Sequence, residues 1–127
     1  MKQSSKRDLI CINKIIKYIA LISKAYRNAK IKTLEDFEAD EVCQLAIAQA
    51  ITNIYEVKKN IQTETLKKTP VFDNILLKAA RNIASHDYDS LDFKIVYKRT
   101  EQLLSDKVKQ ELEVTINDIK QDSESDK

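Results

Sequence analysis

The segment LICINKIIKYIALISKAY, residues 9–26, places Leu9, Ile12, Ile16, Ile19, Leu21 and Ile22 at intervals that follow a helical turn as far as Tyr26. Lys14 and Lys17 fall between them, so the stripe is one face of an amphipathic helix and not a continuous apolar run. Ser5-Lys6-Arg7-Asp8, immediately ahead, has the Ser-x-x-Asp form that can satisfy the free N–H groups of a helix start. The spacing therefore predicts a long first helix over residues 5–30.

Three further segments repeat this pattern. Thr33-Leu34-Glu35-Asp36 is a second box of the same form, followed by Phe37, Val42, Leu45, Ala48, Ile51, Ile54 and Ile61 as the expected buried side. Acidic residues crowd its first turns and Lys58 and Lys59 close it, an order that suits the helix dipole at both ends. Ala46, Ala48 and Ala50 keep its middle slim enough for close helix approach. Thr69-Pro70 is a third start, with Thr69 as N-cap and Pro70 at the first helical position, and the helix is expected to run to about His86. After a turn at Asp87-Tyr88-Asp89-Ser90, a fourth pattern passes through Leu91, Phe93, Val96, Leu103, Leu104, Val108, Leu112, Val114, Ile116 and Ile119, with a bend near Ser105-Asp106.

The composition agrees with an all-α reading. In 127 residues there is no Gly and one Pro, which argues against hairpin-rich folds, phosphate-cradling loops and dinucleotide fingerprints, all of which lean on residues at positive φ. The expected architecture is an antiparallel four-helix bundle with a long C-terminal helix. One domain spans residues 1–120, and the polar segment 121–127 is expected to be disordered. The basic N-terminus and the interrupted apolar stretch behind it fit neither a signal peptide nor a membrane span. Cys11 and Cys43 lie far apart and His86 is the single histidine, so no metal site and no cofactor are expected. The thiols read as small buried hydrophobes in a reducing cytoplasm.

A net charge of +2 hides an uneven distribution. Residues 1–30 carry 8 basic and 1 acidic side chain, residues 31–56 carry 1 and 6, and residues 57–70 carry 4 and 1. If the first helix shares a face with Lys58, Lys59, Lys67 and Lys68, that face can hold RNA phosphates.

Chemistry concentrates at the end of the third helix, in ARNIASHDY, residues 80–88. Asn82 and His86 are i,i+4 neighbours, so the amide can reach the imidazole and set its tautomer. Arg81 lies about 140° around a regular helix from His86. The two can therefore act together only at a frayed helix end, or across a two-fold axis where a second copy supplies the missing partner, which brings a homodimer into the reading. An imidazole can take the proton of a ribose 2′-hydroxyl, and a guanidinium can hold the added charge of a phosphorane with a bidentate fork.

The Arg81-Asn82-x-x-x-His86-x-Tyr88 string, set before a long last helix in a four-helix chain of this length, resembles the HepT-like branch of the HEPN superfamily. Its surroundings strengthen the likeness: Pro70 and Phe72 about ten residues earlier, Asp89 to Asp92 just after, and Glu56 near the end of the second helix. The resemblance implies the toxin half of a toxin–antitoxin pair, a metal-independent endoribonuclease with active sites at a homodimer interface. Arg81 and His86 would be its RNA-cleaving pair and Asn82 its supporting residue. It further implies a minimal nucleotidyltransferase as antitoxin, with Tyr88 as the tyrosine to which that partner attaches AMP. The competing expectation is a non-catalytic subunit that binds nucleotide or substrate for such a nucleotidyltransferase.

Overall fold

The computed structural model describes residues 1–84 and 91–125, with side chains through residue 122. Its elements are α1 (Gln3–Ala29), α2 (Leu34–Glu38), α3 (Glu41–Lys58), α4 (Thr63–Leu66), α5 (Pro70–Ala84), α6 (Phe93–Leu103) and α7 (Asp106–Ser125). The described residues contain no strand, and the fold is an all-α helical bundle as the sequence predicts. The four amphipathic segments correspond to α1, the α2–α3 pair, α5 and the α6–α7 pair, while α4 is a single turn between α3 and α5. Among the described residues no helix is long and apolar enough to cross a membrane.

One core runs through the bundle. α1 packs along α3, α5 lies between α3 and α6, and α7 closes against α1 and α5. Ile12, Ile15 and Ile22 meet Ile47, Ile51, Ile54, Phe72, Leu76, Leu103, Val108 and Leu112, all essentially without solvent contact. Thr100 and Thr115 also occupy buried positions, and their hydroxyls donate to the carbonyls of Val96 at 2.7 Å and Glu111 at 2.8 Å, so neither leaves a polar group unsatisfied. Phe37 is fully buried within an aromatic cluster, its ring centroid 5.9 Å from Tyr26, 6.1 Å from Phe93 and 5.6 Å from Tyr97.

Several local expectations change. The second amphipathic segment is two helices, because the chain leaves α2 at Ala39 and restarts with the Asp40 carboxylate accepting from the Cys43 N–H at 2.9 Å. Gln44, buried on the inner face of α3, donates its amide to the carbonyls of Phe37 and Glu38, both at 2.9 Å, and so serves the free end of α2. Val42 and Leu45, expected inside, are 81% and 57% exposed. At about 100° per residue they lie about 180° and 120° from Ile51, and Cys43, Gln44 and Ile47 take the inward positions. Leu21 and Val114 are exposed as well. The expected bend near Ser105-Asp106 is a full break, with the Ser105 hydroxyl accepting from the Val108 N–H at 3.4 Å at the start of α7.

The Thr33–Asp36 box forms as expected, and the backbone N–H of Lys32 at 2.9 Å helps hold the Asp36 carboxyl below its usual range. The Ser5–Asp8 box does not form. α1 starts earlier, at Gln3, and Asp8 is buried, accepting from the backbone N–H of Gln62 at 3.1 Å, from its side-chain amide at 2.9 Å and from the Thr65 hydroxyl. Asp8 thus caps α4 from across the bundle.

Candidate functional site

The helix that carries the Arg-Asn pair is fixed at both flanks. Pro70 occupies the first position of α5 as expected with Thr69 just before it; the Thr69 hydroxyl donates back to the Leu66 carbonyl at 3.1 Å, and it is not the group that accepts from the first free N–H groups of the helix. The Glu111 carboxylate of α7 does that work, accepting from the N–H groups of Val71 at 3.1 Å and Phe72 at 2.8 Å. Lys58 at the end of α3 pairs with Asp73 in the first turn of α5 at 2.8 Å. Phe72, Leu76, Ala79 and Ala80 turn inward, which directs Arg81 outward.

Arg81 is exposed and lines a groove of about 330 Å³ between α3 and α5, together with Thr52, Tyr55, Glu56, Lys59, Ala80, Ile83 and Ala84. Among the described residues it has no carboxylate partner, and the Glu56 carboxylate in the same groove pairs with Lys59 at 3.0 Å. An exposed guanidinium presents a planar donor fork whose geometry suits a phosphate. The side-chain nitrogen of Asn82 is buried and has no acceptor among the described residues. In sequence Asn82 stands four residues before His86. His86 and Tyr88 themselves lie outside the described residues, as does the turn Asp87-Tyr88-Asp89-Ser90. Beyond it, Asp92 caps α6 by accepting from the N–H groups of Lys94 at 3.0 Å and Ile95 at 3.3 Å.

Each of the basic residues expected to bind RNA has a carboxylate neighbour. Lys58 is held by Asp73, Lys59 by Glu56, Lys67 by Glu64 at 3.0 Å and Lys68 by Asp122 at 3.9 Å. Lys59 alone of the four lines the groove with Arg81. Tyr55 and Thr52, which the motif does not mark, share that groove; the i,i+4 spacing of Tyr55 and Lys59 is the signal that would have found them. Cys11 and Cys43 are both free and buried, and burial pushes both thiols above their usual range. This matches their reading as core hydrophobes.

Comparison with curated proteins finds no match, and neither does comparison with solved structures. A family model described as ribonuclease HepT-like matches residues 11–119, a span that takes in most of α1, the hydrophobic core, the Arg81 groove and all of α7 but its last six residues. On that match, the chain belongs to the HepT-like ribonuclease family.

Proposed function

We propose that this protein is a toxin that cuts RNA without a metal ion, with Arg81 and His86 as its catalytic pair at a homodimer interface. The observation that carries the reading is the ribonuclease family match, within which Arg81 stands exposed at the groove beside the motif, with no carboxylate partner among the described residues. His86 takes the proton from a ribose 2′-hydroxyl, and the 2′-oxygen attacks the adjacent phosphorus. The bond to the 5′-oxygen breaks as that oxygen takes up a proton from water and His86 returns its own to solvent, leaving a 2′,3′-cyclic phosphate on one fragment and a 5′-hydroxyl on the other. Arg81 holds the negative charge that develops on the non-bridging oxygens. Asn82, whose buried donor has no described acceptor, orients the imidazole one turn further on.

Neutralisation follows from the same chemistry. A minimal nucleotidyltransferase antitoxin transfers AMP from ATP to the Tyr88 hydroxyl and releases pyrophosphate. The added phosphate and nucleoside bring negative charge and bulk to the place where the RNA phosphate must sit.

The test is cleavage of several RNA classes by the purified protein and its His86→Ala variant, both in excess EDTA, after intact mass has established that Tyr88 is unmodified. Cleavage by the parent alone, with cyclic phosphate ends, is expected. Equal cleavage by both proteins removes His86 from the mechanism. No cleavage by either overturns the nuclease reading in favour of a non-catalytic subunit that binds nucleotide for a nucleotidyltransferase.

A further inference from the structure

The groove beside Arg81 contains the elements of a nucleobase site as well as a phosphate clamp. The Lys59 ammonium lies 4.9 Å from the centroid of the Tyr55 ring, and that of Lys58 lies 5.5 Å from it. The two cations differ in freedom. Lys58 is only 15% exposed in its side chain and is tied to Asp73, whereas Lys59 is 52% exposed and pairs with the exposed Glu56. Ion pairs of that exposed kind are weak, so a phosphate can draw Lys59 away from Glu56 and from the ring face. The Thr52 hydroxyl donates to the Ala48 carbonyl at 2.9 Å and keeps its oxygen lone pairs as acceptors. Ala80, Ile83 and Ala84 supply an apolar wall. A volume of about 330 Å³ suits one nucleotide and is far too small for a duplex.

We infer that this groove is a single-nucleotide subsite for single-stranded RNA, in which a base stacks on Tyr55 while its phosphate lies between Arg81 and Lys59. The inference rests on the ribonuclease reading and adds to it a substrate class. Stacking on an aromatic ring tolerates any base, because every base has a π face, but it requires a base that is free of its helix. In duplex RNA the bases are stacked and paired, and Tyr55 has nothing to receive. Glu56 opposes the phosphate and weakens binding by competing for Lys59.

The experiment measures binding by fluorescence anisotropy in a His86→Ala background, which prevents cleavage. The probes are a short labelled RNA of mixed sequence, single-stranded, and the same strand annealed to its complement. Replacing Tyr55→Leu is expected to weaken single-strand binding about ten-fold while leaving the salt dependence unchanged, since no charge is removed. Tyr55→Phe, which keeps the ring, is expected to lose far less, and Glu56→Gln is expected to tighten binding. Duplex is expected to bind more weakly and without response to Tyr55. The subsite is overturned if Tyr55→Leu binds like its background, if Tyr55→Phe loses as much as Tyr55→Leu, or if duplex binds as tightly as single strand. Failure of the His86→Ala protein to bind either probe, with no cleavage by the parent, overturns both the subsite and the ribonuclease reading. Cleavage by the parent with no effect of Tyr55→Leu overturns the subsite alone.

Discussion

Lys30 ends the longest helix of a chain that has no glycine, and it does so at φ 58°, in the left-handed region. Its N–H reaches the Arg27 carbonyl at 3.2 Å and the next N–H, of Ile31, reaches Tyr26 at 2.9 Å. This is the paired pattern of a Schellman end, with Ile31 and Tyr26 both buried behind it. A side chain with a Cβ is strained there, and Lys30→Gly is expected to stabilise the fold by about 1 kcal/mol, read as a higher urea midpoint with unchanged slope. Asp8 makes the opposite case. Its carboxylate is 1% exposed and accepts from three donors that have no other assigned partner. Asp8→Ala is expected to cost on the order of 2 kcal/mol, because the buried Thr65 hydroxyl loses its acceptor and the two Gln62 donors lose theirs. Asp8→Asn retains one acceptor and is expected to lose less in the same urea titration.

At the scale of elements, the position of Arg81 depends on what holds α5. Its first turn is capped by Glu111 of α7 and tied to α3 through the Lys58–Asp73 pair, so both neighbours that shape the groove also set the register of the helix. Glu111→Ala removes a charged cap from the positive end of α5 and is expected to destabilise the protein by about 1–2 kcal/mol. Glu111→Gln keeps an acceptor without the charge and is expected to fall between that variant and the parent. Thermal unfolding of the three proteins checks the order. The junction of α2 and α3 shows the same division of labour in reverse, since Gln44 on one helix satisfies carbonyls at the end of the other.

The whole molecule raises the question of how Arg81 and His86 meet, when a regular helix holds them about 140° apart. If each active site takes Arg81 from one copy and His86 from the other, two inactive variants can complement. In a dimer of Arg81→Ala with His86→Ala, one site carries both substitutions and the other carries neither. Equal mixing with subunit exchange is therefore expected to restore about a quarter of parental cleavage, since about half the dimers are mixed and one site in each is intact. If both residues act within one copy, the mixture stays inactive.

The sequence by itself determined the helical class, the four amphipathic segments, the start of α5 at Pro70, the buried isoleucines of α3, and the string that ends α5. These are local or periodic properties, readable because each apolar stripe must face a core whatever its partner is. Tertiary structure alone decided which polar groups meet. Asp8 finds its donors more than fifty residues away, Glu111 caps a helix about forty residues earlier, and Lys58 and Lys68 find carboxylates on other helices, whereas Lys59 and Lys67 pair three residues back along the chain, as spacing alone allows. The face of α3 shifted for the same reason. Val42 and Leu45 are as apolar as the residues around them, but the break at Asp40 sets the helix where Ile47, Ile51 and Ile54 fill the core and the other two meet solvent. A single turn of helix needs partners from elsewhere in the chain to close its free backbone groups, and the identity of those partners is written only in the folded arrangement.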